Sequence, residues 1–199
     1  MNRLVCGVFL IQMRIWTVIA AIKGNQMTRA IILIVAMMIG FQAKAVELNV
    51  PFDSIDGGTL SLSKWSGQPI LVVNTASRCA YTKQYSGLQA LYETYRDRGL
   101  VVLVVPSDDF NQELSSEEKV KEFCELQYGI DMPMTGITHV KGSDAHPFYK
   151  SLVNDANFVP NWNFNKVLIG PRGAVVKTYG SRTKPTSSAI LNDIEGLLN

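Results

Sequence analysis

The sequence predicts a three-layer α/β sandwich around a central mixed sheet, with a β-hairpin at its N-terminal edge. Three observations predict it. Short β-branched runs of strand length, PILVVN and LVVLVVP, are bounded by turn residues. Segments with apolar residues three and four apart lie between and after them. The resulting β-α-β unit is followed by a further hairpin and a closing helix, an order that packs helices on both faces of one sheet.

Taken in order, LNVPFDSIDGGTLSLSKW reads as a hairpin turning at Asp56, Gly57 and Gly58. PILVVN follows as a buried strand. In residues 82–98, Tyr85, Leu88, Leu91, Tyr92 and Tyr95 mark one face of an amphipathic helix that Gly99 closes. LVVLVVP is the second buried strand. A Ser-x-x-Glu signal at Ser115 or Ser116 opens a helix through KVKEFCELQY, and Gly129 ends it. ITHV reads as a short strand and HPFYKSLV as a short helix. KVLIGPRGAVVKTYG is a hairpin turning at Pro171, Arg172 and Gly173, and a last helix runs from about Thr186 to Leu198. The arrangement is of thioredoxin type.

Residues 1–45 stand apart by composition. They carry five basic residues (Arg3, Arg14, Lys23, Arg29, Lys44) and no acidic one. Within them, Met27-Thr28-Arg29 forms a charged head, AIILIVAMMIGF an apolar stretch, and Ala43-Lys44-Ala45 a small-x-small cleavage pattern. This predicts a leader cleaved after Ala45 and export, with the bacterial periplasm as destination. A second apolar run upstream points to Met27 as the true start. An uncleaved membrane anchor is the alternative, although the run after Met27 is shorter than the roughly 20 residues a bilayer requires. The remaining residues, 46–199, form one domain. They hold all seventeen acidic residues and fourteen of the nineteen basic ones, so the net positive charge of the whole chain belongs to the leader. No basic stripe with interleaved aromatics is present, which excludes nucleic acid as the expected partner.

Two cysteines lie in this domain, Cys79 and Cys124, with no CxxC pair. The two histidines, His139 and His146, sit in unrelated contexts, so no metal or other cofactor is implied. Cys79 falls in LVVNTASRCAY, where a buried strand gives way to a helix. Backbone N–H groups and the helix dipole favour an anion at such a place, which points to a reactive thiolate. Ser77 and Thr82 are both candidate caps for that helix start. On spacing alone, an exported protein with two cysteines also admits a structural Cys79–Cys124 disulfide.

The segments VVNTASRCAYTKQYSGLQALYETY, FCELQYG, HPFYKSL, WNFNKVLIGPRG and YGSRTKP resemble, in order and spacing, the glutathione peroxidases. The likeness is to their cysteine-containing, thioredoxin-dependent branch, and it spans Val46 to Leu198. It implies a thiol peroxidase acting in the response to oxidative stress. Cys79 would be the peroxidatic residue, attacking the O–O bond and becoming a sulfenic acid. Trp162 and Asn163 would supply an indole N–H and an amide beside the sulfur. Cys124 would be the resolving cysteine, closing an intramolecular disulfide that a dithiol partner reduces. Because Cys124 reads as helical, that step requires its helix to unwind in part.

One departure concerns the family glutamine in a loop of the form N-Q-F-G-x-Q-E. Here the loop reads Asp108-Asp109-Phe110-Asn111-Gln112-Glu113, one residue shorter. Direct alignment puts Asp109 at that position. A carboxylate there would raise the thiol pKa, so either Asp109 points away, or it is held neutral, or Gln112 enters in its place. Ala80 and Lys83 replace residues that are commonly Gly and Pro. The short segment VNDANFVPN before WNFNK predicts a monomer with an open site that admits hydrogen peroxide and organic or lipid hydroperoxides. The reductant expected for an exported enzyme is a thioredoxin-like protein or another thiol. Two alternatives to the peroxidase are an exported binding or electron-carrier module of the same fold, and a scaffold with a permanent Cys79–Cys124 bond.

Overall fold

The computed structural model describes residues 46–198. The leader, Met27 and the cleavage point after Ala45 lie outside the described residues. No helix among the described residues is long and apolar enough to cross a membrane.

The chain opens with a small hairpin, β1 (Phe52–Asp53) paired antiparallel with β2 (Thr59–Leu60). Gly57 and Gly58 both take positive φ in its turn, as the Asp-Gly-Gly signal requires. The expected second strand stops early, because Leu62–Trp65 forms a 3-10 turn that buries Leu62. The central sheet has the order β4-β3-β5-β6, with β3 at Ile70–Thr75, β4 at Val101–Pro106, β5 at Lys166–Ile169 and β6 at Val175–Tyr179. β3 and β4 run parallel, and β5 and β6 are antiparallel to their neighbours, so the sheet is mixed as expected.

Every residue of β3, β4 and β5 is buried, and the pleat divides their side chains between two cores. Leu71, Val73, Val102, Val104 and Leu168 pack with three helices: α1 (Gln84–Tyr95), α2 (Glu117–Tyr128) and α4 (Ser188–Glu195). Ile70, Val72, Leu103, Val105 and Ile169 pack with Phe52 of the hairpin and with Phe148 and Leu152 of α3 (Pro147–Ala156). Both faces are therefore dry, which accounts for unbroken rather than alternating apolar runs. A Leu→Ala change in either core costs about 2–5 kcal/mol, a large share of a domain's total stability.

The termini of α2 follow the sequence signal. Ser116 is the N-cap, accepting the N–H of Lys119 at 3.5 Å, and Gly129 closes the helix in the left-handed conformation. The segment ITHV corrects the reading, because Ile137–Val140 forms no strand. Its N–H groups are taken up elsewhere: Ile137 by the Glu117 carboxylate, Thr138 by the Pro106 carbonyl and Val140 by the Asp109 carboxylate. With those donors committed, no ladder forms.

Candidate active site

Topology brings three segments to one end of the sheet. β3 and β4 are parallel, so the chain leaves both at the same edge, at Thr75 and Pro106. β5 is antiparallel to β3 and pairs Lys166 with Val73, so the residues that precede it, Trp162–Asn165, arrive at that edge as well. The Cys79 turn, the Asp108–Glu113 loop and the Trp-Asn-Phe segment are therefore neighbours. Carboxyl ends of strands are the usual location of sites in α/β folds.

Cys79 lies in a turn between β3 and α1, and its side chain is largely buried. The N–H of Tyr81 points at its sulfur at 3.4 Å. Thr82 holds the turn: its hydroxyl accepts the Cys79 N–H at 3.0 Å and reaches the Ala76 and Cys79 carbonyls at 2.9 and 2.7 Å. Neither Ser77 nor Thr82 is the cap of α1. That helix begins at Gln84, and its N-cap, Lys83, makes no side-chain cap. The reason is local: Thr82 spends its oxygen on Cys79, and the first N–H groups of the helix, at Gln84 and Tyr85, donate to the Tyr81 and Thr82 carbonyls instead. Arg78 is exposed, and its guanidinium forms no ion pair among the described residues.

The loop after β4 is stitched to this turn. Arg78 N–H donates to the Gln112 carbonyl at 2.9 Å, and Ser77 N–H donates to Glu113 Oε1 at 2.9 Å. Asn111, at φ 55°, makes the bend that turns Gln112 inward. The Gln112 side chain then accepts the Asn163 amide N–H at 3.1 Å. Asn163 is fully buried. Trp162 is 40% exposed and lies against Phe110 with ring centroids 5.4 Å apart, so it forms a rim over the loop.

Asp109 turns the other way. Its Oδ2 accepts the N–H groups of Val140 and Lys141 at 2.6 and 3.0 Å, and its Oδ1 lies 2.7 Å from His139 Nδ1. Burial works against the charge, but the His139 hydrogen bond and the two backbone donors outweigh it and hold the carboxyl below its ordinary value. Asp109 is thus ionised and paired, not held neutral. Of the two candidates for the family glutamine, the fourth position of the expected catalytic set after Cys79, Trp162 and Asn163, Gln112 is the one beside Asn163.

Cys124 sits on the inward face of α2 with no exposure. Burial pushes its thiol up to about 11; the neighbouring Tyr85 hydroxyl works against the shift, while the Glu113 and Glu125 charges add to it. Cys79 and Cys124 belong to one apolar cluster, and both are free thiols, so no permanent bond joins them here.

Sequence reasoning missed three residues at this site. Asn74, a polar residue inside the PILVVN run, fixes the Trp-Asn-Phe segment: its amide donates to Trp162 O at 3.0 Å, its Oδ1 accepts Asn165 N–H at 3.1 Å, and its carbonyl accepts Phe164 N–H at 2.6 Å. Phe164 is held at φ 61° by these contacts. Lys166 is fully buried, donating to Gln84 Oε1 and Thr183 O at 2.5 and 2.6 Å, and burial lowers its pKa to about 7. Glu113 is a buried carboxyl directly after Gln112. For Asn74 the available signal was a polar residue within an otherwise apolar run; Lys166 and Glu113 carry no such signal.

Comparison with known proteins bears on the family and the fold. The family model described as glutathione peroxidase matches residues 47–153. A glutathione peroxidase-like peroxiredoxin of Schizosaccharomyces pombe is 39% identical over 148 residues, covering 72% of this chain and 92% of the relative. A hydroperoxy fatty acid reductase of Synechocystis is 41% identical over 157 residues, covering 73% and 92%. Among solved structures, an apo-form crystal structure named Trgpx superimposes with a TM-score of 0.62 at 28% identity, covering 78% of this chain and 97% of the other. The thioredoxin domain of a Bacteroides vulgatus thiol-disulfide oxidoreductase, with a TM-score of 0.56 at 17% identity over 79% and 97%, shows the same thioredoxin-like fold. The chain belongs to the glutathione peroxidase family, in its cysteine-containing branch, and is a thiol peroxidase, an oxidoreductase that acts on peroxides.

Proposed function

We propose that this thiol peroxidase works by a two-cysteine cycle. The Cys79 thiolate attacks one peroxide oxygen and becomes a sulfenic acid, while the other oxygen leaves as water or alcohol. Asn163, Gln112 and Trp162 form the polar wall around the reacting oxygens. The observation that carries this assignment is the Asn163–Gln112 hydrogen bond beside a turn that Gln112 itself anchors through Arg78. Cys124 then attacks the sulfenic sulfur, giving an intramolecular disulfide and water. Since Cys124 is buried within α2, the helix opens locally for this step.

The substrates in this reading are hydrogen peroxide and organic or lipid hydroperoxides, and the Synechocystis relative's name supports the lipid class. The chain acts as a monomer, with a thioredoxin-like protein or another thiol as reductant. It is exported to the periplasm by cleavage of its leader after Ala45.

The test is to add one equivalent of hydrogen peroxide to the purified, reduced protein and to follow free thiols and intact mass. Rapid loss of both domain thiols with a fall of about 2 Da supports the cycle. Oxidation no faster than that of a free cysteine overturns it. Export is checked separately, by the N-terminal peptide of the protein recovered from a periplasmic fraction, which should begin at Val46.

A further inference from the structure

Phe164 stands in the left-handed region at φ 61°, a costly place for an aromatic residue, and it directly follows Asn163. Backbone held there needs restraint on the peptide unit that leads into it. That unit is gripped at both ends: the Phe164 N–H donates to the Asn74 carbonyl at 2.6 Å, and the Asn163 carbonyl accepts the Ser181 hydroxyl at 2.6 Å. Asn74 belongs to β3, whereas Ser181 comes from the turn after β6 and is buried. The Asn163 side chain does little to fix itself. Its amide makes one hydrogen bond, to Gln112, and its Oδ1 is buried without a partner. The direction of the amide therefore follows from the peptide unit behind it.

Ser181 is itself held from two sides. Asn165 Nδ2 donates to its oxygen at 2.8 Å, which leaves the hydroxyl hydrogen for the Asn163 carbonyl. Its own carbonyl accepts Gln84 Nε2 at 2.6 Å, and Gln84 Oε1 accepts the buried Lys166 Nζ. Lys166 also donates to the Thr183 carbonyl in the same turn. Because Lys166 donates to Gln84, the amide of that residue is left to offer its NH2 group to Ser181. Gln84 is the first residue of α1, the helix into which the Cys79 turn leads. A continuous set of hydrogen bonds thus runs from that helix through Ser181 to Asn163.

We infer that Ser181 is a positioning residue for peroxide reduction, its hydroxyl holding the Asn163–Phe164 peptide in the strained orientation that aims the Asn163 amide at Gln112 beside the Cys79 turn. This rests on the reading of Asn163 as part of the polar wall. Ser181 touches no reacting atom. Without its hydroxyl the strained unit relaxes, Phe164 leaves the left-handed region, and the backbone that carries the Asn163 amide shifts with it. Gln84 and Lys166 extend the same restraint to α1, so the wall keeps a fixed offset from the helix that follows Cys79.

The test follows both chemical steps after rapid mixing of reduced protein with hydrogen peroxide, trapping the sulfenic acid and measuring the disulfide by mass. Ser181→Ala removes the hydroxyl, and Ser181→Thr keeps it. The first oxidation should slow about tenfold in Ser181→Ala and return to within about threefold of the parent in Ser181→Thr, with disulfide formation from the sulfenic acid unchanged in both. The decisive arm is Ser181→Ala in an Asn163→Ala background. There the serine has no amide left to position, so the same change should alter the first oxidation by less than about twofold. Equal slowing of both steps, or an undiminished loss in the Asn163→Ala background, would mark the serine as merely structural and overturns the inference. Should Ser181→Ala fail to fold, Gln84→Glu reads the restraint from its other end, because it keeps an acceptor for Lys166 and loses the donor to the Ser181 carbonyl. It should slow the first oxidation at least about threefold, and a parent-like rate sinks the idea. If Asn163→Ala alone oxidises as fast as the parent, the polar-wall reading itself has failed, and the role of Ser181 fails with it.

Discussion

Cys79 and Cys124 share one apolar cluster, yet the chain treats them in opposite ways. Cys79 rides on a turn whose hydrogen bonds run mainly through one threonine hydroxyl, and a backbone N–H is aimed at its sulfur. Cys124 is embedded in a capped helix with no exposure, and its thiol is held up to about 11. The first is presented on backbone that cannot join a ladder, and the second is stored in backbone that already has. The Cys124 thiol is raised chiefly by its burial, with the Glu113 and Glu125 charges adding to the shift. In the proposed cycle, Cys124 is kept out of solution chemistry until its helix opens, which would protect it from peroxide directed at Cys79.

The sharpest way to break the contrast is Cys79→Ser, which should lower peroxide consumption at least about a thousandfold in a coupled assay. Retention of activity would mean that Cys124 is the reactive thiol. Next in size is Cys124→Ser. It should keep the first oxidation but accumulate a trappable sulfenic acid, and dithiol-dependent turnover should fall about a hundredfold. Smaller effects come from the polar wall. Asn163→Ala or Gln112→Ala should slow the first oxidation by about 10–100-fold, somewhat less than the loss of a dedicated oxyanion-hole donor. Asp109→Asn should change that step less than about threefold, because its carboxylate is committed to Val140, Lys141 and His139. An Asp109 effect equal to that of Gln112 would return the fourth position to Asp109.

The smallest effect concerns stability. Lys166 has a folded pKa of about 7 against the ordinary 10.5, so between those values the unfolded chain binds more protons than the folded one. Its contribution therefore rises with pH across that window and levels off below about 7. Thermal unfolding at pH 6.5, 7.5 and 8.5 should show this upward slope in the parent relative to Lys166→Met. Identical slopes would show that the lysine titrates normally.

Much of this was legible beforehand. The strands declared themselves because both sheet faces are covered, which forces unbroken apolar runs, and the helix ends declared themselves through Ser116, Gly99 and Gly129. Cys79 was marked by its place where a buried strand gives way to a helix, and Cys124, Trp162 and Asn163 by resemblance, since no periodicity distinguishes them. Less was visible where side chains replace ladder bonds. ITHV has strand composition, but the Asp109 and Glu117 carboxylates claim its donors across 20 residues or more of sequence. The opposite directions taken by Asp109 and Gln112 go with the left-handed Asn111 between them, which linear alignment cannot see. Lys166 and Glu113 stayed hidden because each looks like an ordinary surface charge until its neighbours fold over it.

Asn74 is hydrogen-bonded into the central strand ladder and also grips Trp162, Phe164 and Asn165. The polar wall is therefore part of the same cooperative unit as the sheet, whereas the stored thiol hangs on a helix that can open alone. In hydrogen-exchange terms, the Phe164 and Asn165 amides should exchange only with global unfolding, and the α2 amides around Cys124 well before it. Under the proposed cycle, half of the machinery would come apart at each turnover and still find the other half in register when it closes.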